Sequence, residues 1–280
     1  MKYVPELLYW IGERENIRIK KESGRQYLRL TNDPIMETGR WCNVRREDDK
    51  VTRWIFDNFM PTDRSDPTIP FAMCLARLVN WPDTLRELGY PADGWTAPYR
   101  AAFLDVFAAR RANKLKAWTG AYMVTGGFSA GGEPKEVIIA RVLDGAWVTA
   151  HDLIGLDNAP TLSRTADILS CPGMGTFLVA QVIADLKNTD HLKSAPDRMT
   201  WCAPGPGSTM GLNFIHDRPR TKSIGGEQFI AEVNQIRQLL ADRLDLHICA
   251  QNTQNCLCEL SKYIRVRYFG ERMKNTYRPS

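Results

Sequence analysis

No apolar run in the 280-residue sequence approaches the roughly 20 residues a helix needs to cross a bilayer; stretches such as VIIARVLDGAWV are broken by charge. The N-terminal MKYVPELLYW also lacks the basic, apolar and small-residue sections of a secretory signal. Together these absences predict a cytoplasmic protein with no membrane partner. Cysteine pairing is missing too: there are seven cysteines, an odd number, and Cys42, Cys74, Cys171 and Cys202 stand far apart. A secreted disulfide framework is thereby disfavoured and free thiols are expected. The one cluster of metal-ligand types, His247, Cys249, Cys256 and Cys258, reproduces neither zinc nor iron-sulfur spacing, so no metal site is assigned. Strand-like alternation is confined to QYLRL and AYMVT, and no internal repeat or low-complexity tract occurs.

What is present is helical periodicity. Phe71, Leu75 and Leu78; Phe103, Val106 and Phe107; Val137, Ile138, Val142 and Trp147; and Phe229, Val233, Ile236, Leu240 and Leu244 recur mostly at three- and four-residue intervals. With 44% hydrophobic and 25% charged residues the chain has the composition of a globular protein with a sizeable core. Turn clusters (FMPTDRSDPTIP, GYPADGW, TGGFSAGGEP, APGPGSTMG and SIGG) punctuate it without a composition shift that forces a domain boundary. The expectation is a mainly α, single helical domain over 1–280, with two lobes around a cleft as a variant, and a loose NTYRPS tail. The net charge of +5 is modest, but basic residues gather at 14–25, 40–53, 110–116, 218–222 and 262–274 with aromatics interleaved. That pattern suits a polyanionic partner, against the competing reading of solvated helix faces.

The most informative stretch is LSCPGMGTFLVAQVIAD. A helix over about 161–169, a Pro172-Gly173-Met174-Gly175 hairpin and a helix over 176–186 resemble the helix-hairpin-helix of the DNA glycosylase superfold. In that motif Gly173, Gly175 and the amide of Thr176 approach a DNA phosphate. Tight packing of two helices explains the same glycines equally well. No Gly-Lys-Ser/Thr follows, so the turn is not a Walker phosphate loop. No acid lies between Trp201 and Ile215, where a glycosylase of this superfold carries its catalytic aspartate, which disfavours base excision.

Three further stretches carry candidate chemistry. In GRWCNVRREDDKVTRWIF, a helix from about Asn43 would stack Arg45 on Asp49 and Arg46 on Lys50. Asn43, Arg45 and Arg46 then face a phosphorylated ligand, with Asp48 or Asp49 orienting them or accepting a proton; an ion-paired helix start is the plain alternative. In QNTQNCLCELSKYIRVRYFGER, Glu259, Lys262 and Tyr263 share a helix face. Desolvation among thiols, Leu257 and Leu260 would suit Glu259 to a general base, while a Glu259–Lys262 surface pair is the structural alternative. In WCAPGPGSTMGL, Gly205, Gly207, Ser208 and Gly211 offer either an anion-binding run of amides or a simple loop.

In order, CNVRREDDKVTRWI, TGAYMV, CPGMGTFLVAQVIADL, CAPGPGSTMGL and QNCLCELSKYIR resemble the α-glutamyl/putrescinyl thymine pyrophosphorylases. These are amino acid:DNA transferases of bacteriophages, related to the helical domain of 5-hydroxymethyluracil DNA kinases. The resemblance spans about 41–269. It implies a DNA glycosylase-like fold, action in an infected bacterial host cell, and double-stranded DNA carrying a modified pyrimidine as partner. The implied reaction is displacement of pyrophosphate from pyrophosphorylated 5-hydroxymethyluracil by a free amino acid or polyamine, with the target base swung out of the stack. The site it suggests has Gly173, Gly175 and Thr176 at DNA, and Arg45, Arg46, Asn43 and Lys262 at pyrophosphate. Glu259 or Asp48 would be the base, with Asp49, Tyr263, Gly205 and Gly207 supporting. Mg²⁺ would help neutralise pyrophosphate, although the arginines could do so alone. A non-catalytic binder of modified DNA, and behind it a glycosylase, are the alternative functions.

Overall fold

The computed structural model of the chain describes residues 1–119, 132–153 and 160–273. AYMVT, nearly all of TGAYMV and the NTYRPS tail lie outside the described residues. In chain order the helices are α1 (Val4–Glu22), α2 (Pro34–Thr38), α3 (Lys50–Trp54), α4 (Ile69–Val79), α5 (Pro82–Leu88), α6 (Ala97–Ala112), α7 (Lys135–His151), α8 (Leu162–Leu169), α9 (Thr176–Leu186), α10 (Pro206–Ile215), α11 (Gly226–Leu244) and α12 (Ala250–Phe269). Among the described residues there is no strand, Cys171 and Met174 form an isolated bridge, and QYLRL is an irregular loop rather than a strand. No helix among them is long and apolar enough to cross a membrane.

The chain divides into two compact units, Met1–Asp49 with Met199–Ser280, and Lys50–Arg198. In the first, α1 buries Leu7, Trp10, Ile11 and Ile17, and α11 buries Phe229, Val233, Ile236 and Leu240, each at helical spacing. Leu244, the expected end of the α11 stripe, is 39% exposed one residue before Asp245 closes the helix in the left-handed conformation. α12 completes this core with Cys256, Leu257, Leu260, Tyr263 and Ile264. Against it lies α10, so closely that a Cβ on Gly211 would strike the Leu257 carbonyl and one on Gly207 the Cys258 sulfur.

The second unit is organised around α4, every residue of which is buried. Its one charge, Arg77, donates to both carboxylate oxygens of Asp185 on α9, at 2.5 and 2.6 Å, and also to Thr52 and Asn80. A fully buried bidentate pair of this kind fixes α9 against α4. α8 starts on a double cap: Thr161 accepts from Arg164 N, and the Asp197 carboxylate accepts from Leu162 N and Ser163 N.

Candidate functional site

In the first unit, residues 40–47 are held in place by side chains of α12. Asn252 accepts from Arg46 N at 3.2 Å and donates to Glu47 at 3.2 Å; Asn255 donates to Asn43 O at 3.0 Å; Cys256 reaches Val44 O at 3.8 Å. Glu259 accepts from Cys42 N at 3.4 Å, and Lys262 donates to Arg40 O at 2.8 Å. These α12 positions recur at intervals of three and four and so share one face. From α1, Arg14 adds a bond to Cys42 O at 2.9 Å and a short one to the Asn43 side chain.

This clamp corrects the expected helix from Asn43. The backbone is extended at Arg45, forms only a 3₁₀ turn over Arg46–Asp48 and is extended again at Asp49 before α3 begins. The Arg46 amide and the Asn43 and Val44 carbonyls bond to α12, and the internal backbone bonds of the stretch are the 3₁₀-type ones from Asp48 N to Arg45 O and Asp49 N to Arg46 O, so the i,i+4 stacks of Arg45 on Asp49 and Arg46 on Lys50 do not form. Asp48 lies 3.5 Å from Arg18, and Arg45, 39% exposed at its side chain, lies 3.9 Å from Glu15. Asp49 is exposed.

Glu259 and Lys262 do pair, at 2.7 Å, but Glu259 is almost wholly buried rather than at the surface. Lys262 also sits 4.6 Å from the Trp41 ring centre. Tyr263, assigned to substrate by the sequence, is fully buried and donates to Asp33 at 2.6 Å. Asp33 also accepts from Tyr9 and, as the cap of α2, from Ile35 N and Met36 N. Burial works against the Asp33 charge, but these donors together hold its carboxyl below the ordinary value. Burial, with the Asp33 charge beside it, pushes the Tyr9 phenol up to about 12.

Next to the clamp is a cavity of about 680 Å³, walled by α1, residues 27–31, α2 and residues 39–41. Arg14, Lys21, Arg29 and Arg40 line it against a single carboxylate, Glu37, with Tyr27 and Trp41 as aromatic walls. Arg14 is 9% exposed, and its Nη1 has no hydrogen-bond partner among the described residues. Burial draws this guanidinium below its ordinary value. A second cavity, of about 630 Å³, shares Arg29 and Thr31 with the first. At about 100° per residue, α1 turns one face to each surface. Glu15 and Arg18 meet residues 45–48, Arg14, Ile17 and Lys21 line the cationic cavity, and Tyr9, Glu13 and Lys20 line the second. The basic clusters marked in the sequence supply Arg14, Lys21 and Arg40, but neither Arg29 nor the cavity is legible there. Arg14, Lys21, Arg29 and Arg40 come from three separate segments, and no spacing rule relates them.

The predicted glycines divide by role. Gly207 and Gly211 serve the close approach of α10 to α12, while a Cβ on Gly205 would lie 3.2 Å from the Gln254 amide. In the second unit, Gly173 has φ +87° and a Cβ there would run into Val142 of α7, which is the packing role of that turn. Gly175 is different: it caps α9, is exposed, and a Cβ would meet nothing within 4 Å. Thr176 beside it is also exposed, so the first amides of α9 open from an uncrowded turn. Among the described residues, no three His, Cys, Asp or Glu side chains group as a metal site requires.

No curated protein and no solved structure matches the chain. A family model does, described as the helical domain of 5-hmdU DNA kinase, over residues 2–271. That match covers both units, the clamp and both cavities, and it links the chain to the modification of thymine-derived bases in DNA. The chain belongs to the 5-hmdU DNA kinase helical-domain family.

Proposed function

We propose that this protein is a DNA-modifying transferase that replaces the pyrophosphate of pyrophosphorylated 5-hydroxymethyluracil in phage DNA with an amino acid or polyamine. In the reaction the bond between the ring-attached methylene carbon and the pyrophosphate oxygen breaks, and its electron pair leaves on pyrophosphate. The amine nitrogen forms the new bond to that carbon and gives up one proton. The observation that carries this reading is the cationic cavity. Four basic side chains against one acid, between Tyr27 and Trp41, suit a planar pyrimidine bearing a multiply charged leaving group.

In this scheme Arg14, Lys21, Arg29 and Arg40 receive the pyrophosphate. Asn43, Arg45 and Arg46 extend the basic surface toward the nucleic acid, with Asp48 and Asp49 orienting them. Glu259 and Lys262 act by holding the 40–43 segment and are positioning residues, as is Tyr263 through Asp33. Gly175 and Thr176 offer α9 amides to a DNA phosphate, with Gly173 shaping the turn. Mg²⁺ bound to the pyrophosphate would add to this neutralisation, which the basic side chains could also supply alone. The reaction takes place in the infected host cell on double-stranded DNA.

The test is to incubate the protein with duplex DNA carrying the pyrophosphorylated base and a pool of amino acids and putrescine, then digest to nucleosides for mass spectrometry. A new nucleoside of methyluracil joined to one amine, with matching pyrophosphate release, is the expected result. DNA that is bound but returned unchanged would instead identify a non-catalytic reader of modified DNA, a role to which the same cationic surface is suited.

A further inference from the structure

The second cavity has a composition unlike the first, and the contrast bears on what attacks. Lys20, Arg29 and Arg267 face it along with two carboxylates, Glu13 and Asp33. Asp33 is committed: Tyr9, Tyr263 and two amides of α2 occupy its oxygens. Arg267 is anchored to the Tyr263 hydroxyl at 2.6 Å, and Lys20 to Leu30 O at 2.8 Å, each with donors to spare. Among the described residues Arg29 is held only by a 3.8 Å pair with Glu37. Glu13 makes no hydrogen bond or ion pair with any described residue. The cavity thus has a rigid wall built on Asp33, three cations with free donors, and one unengaged carboxylate.

We propose that this cavity binds the nucleophile, and that the nucleophile is a zwitterionic α-amino acid rather than a polyamine. Its carboxylate is met by Arg29, Lys20 and Arg267, and its ammonium by Glu13. A diamine has two positive ends and no group for three cations to recognise, whereas an amino acid satisfies both signs. The volume suits a small ligand with an ordinary side chain. Arg29 and Thr31 line both cavities, so a ligand here borders the anion proposed for the first one. Glu13 is then the group in place to take one proton from the bound ammonium, freeing the lone pair with which the nitrogen bonds to the methylene carbon as pyrophosphate departs, and the product forms as a secondary ammonium. The inference rests on the transferase reading for its chemistry, but not for its binding site.

The experiment is calorimetric titration of the whole chain with glycine, serine, glutamate and putrescine, with and without the pyrophosphorylated duplex. At least one amino acid should bind saturably and putrescine should not. Glu13→Gln, an isosteric change at a side chain that makes no hydrogen bond or ion pair with any described residue, should weaken that binding about 10- to 100-fold with melting unchanged. Lys20→Met should weaken it as well. Amino acid binding without any transfer would leave this site standing and remove the transferase reading. Transfer of putrescine with no amino acid binding would do the reverse. Binding of no amino acid under either condition, or binding indifferent to Glu13→Gln, overturns the proposal.

Discussion

Glu259→Gln separates a positioning role from a chemical one. The carboxylate accepts from Lys262 at 2.7 Å and from Cys42 N at 3.4 Å in a nearly closed environment. A hydrogen bond to a charged group contributes about 1.5–3 kcal/mol. Lys262 would keep the Arg40 carbonyl and the Trp41 face, and glutamine can still accept from Cys42, so a loss of about 2 kcal/mol is expected, toward the lower end of that range. With a urea slope of about 1–3 kcal/mol per molar, the unfolding midpoint should fall by about 1 M at unchanged slope. Affinity for a phosphorylated duplex should fall in parallel, because the 40–43 segment loosens. Lys262→Met should cost a similar amount, and the double variant less than the sum of the two singles. An unchanged midpoint together with abolished turnover would refute the positioning account and restore Glu259 as the reacting base.

Three other outcomes follow from the same geometry. Asp185→Asn leaves Arg77 buried without its countercharge and should cost about 3–5 kcal/mol by denaturant unfolding; Arg77→Met combined with Asp185→Leu should recover most of that loss. Gly173→Ala and Gly211→Ala should destabilise by about 1–3 kcal/mol through steric conflict, whereas Gly175→Ala should leave stability within about 0.5 kcal/mol and weaken DNA binding if α9 meets a phosphate. Asp33 titrates below its ordinary value, so its contribution is present above that value and lost as pH falls through the depressed one. Tyr9, raised to about 12, contributes fully below 10 and loses its contribution as pH rises through 12. Melting followed against pH should show both limbs; Asp33→Asn should remove the acid limb and only reduce the alkaline one, because burial is the larger cause of the Tyr9 shift.

The helices were legible because their apolar residues recur at the period of the helix: Phe229, Val233, Ile236 and Leu240 on α11 are an example. So was the α8–turn–α9 element, where Pro172 and Gly173 mark the reversal. The stretch from Asn43 was not legible. Its composition satisfies helix-surface rules, but its backbone groups are claimed by Asn252, Asn255 and Glu259, more than 200 residues away, and no local pattern encodes that competition. The glycines of WCAPGPGSTMGL are ambiguous in sequence for a related reason. A bare backbone looks the same in sequence whether it receives an anion or, as at Gly211, another helix's carbonyl. Glu13 went unnoticed because an unengaged carboxylate differs from a paired one only in three dimensions.

The clamp on residues 40–47 has a consequence for anyone rebuilding this protein. Most loops can be exchanged between scaffolds because their ends alone fix them, but this one is read along its length by asparagine, cysteine, glutamate and lysine side chains of a distant helix. Grafting the arginine-rich stretch without α12 should yield a strand of unanchored charge. Grafting the two together should carry the anchored stretch, though not the cations of α1 and residue 29, into a new host.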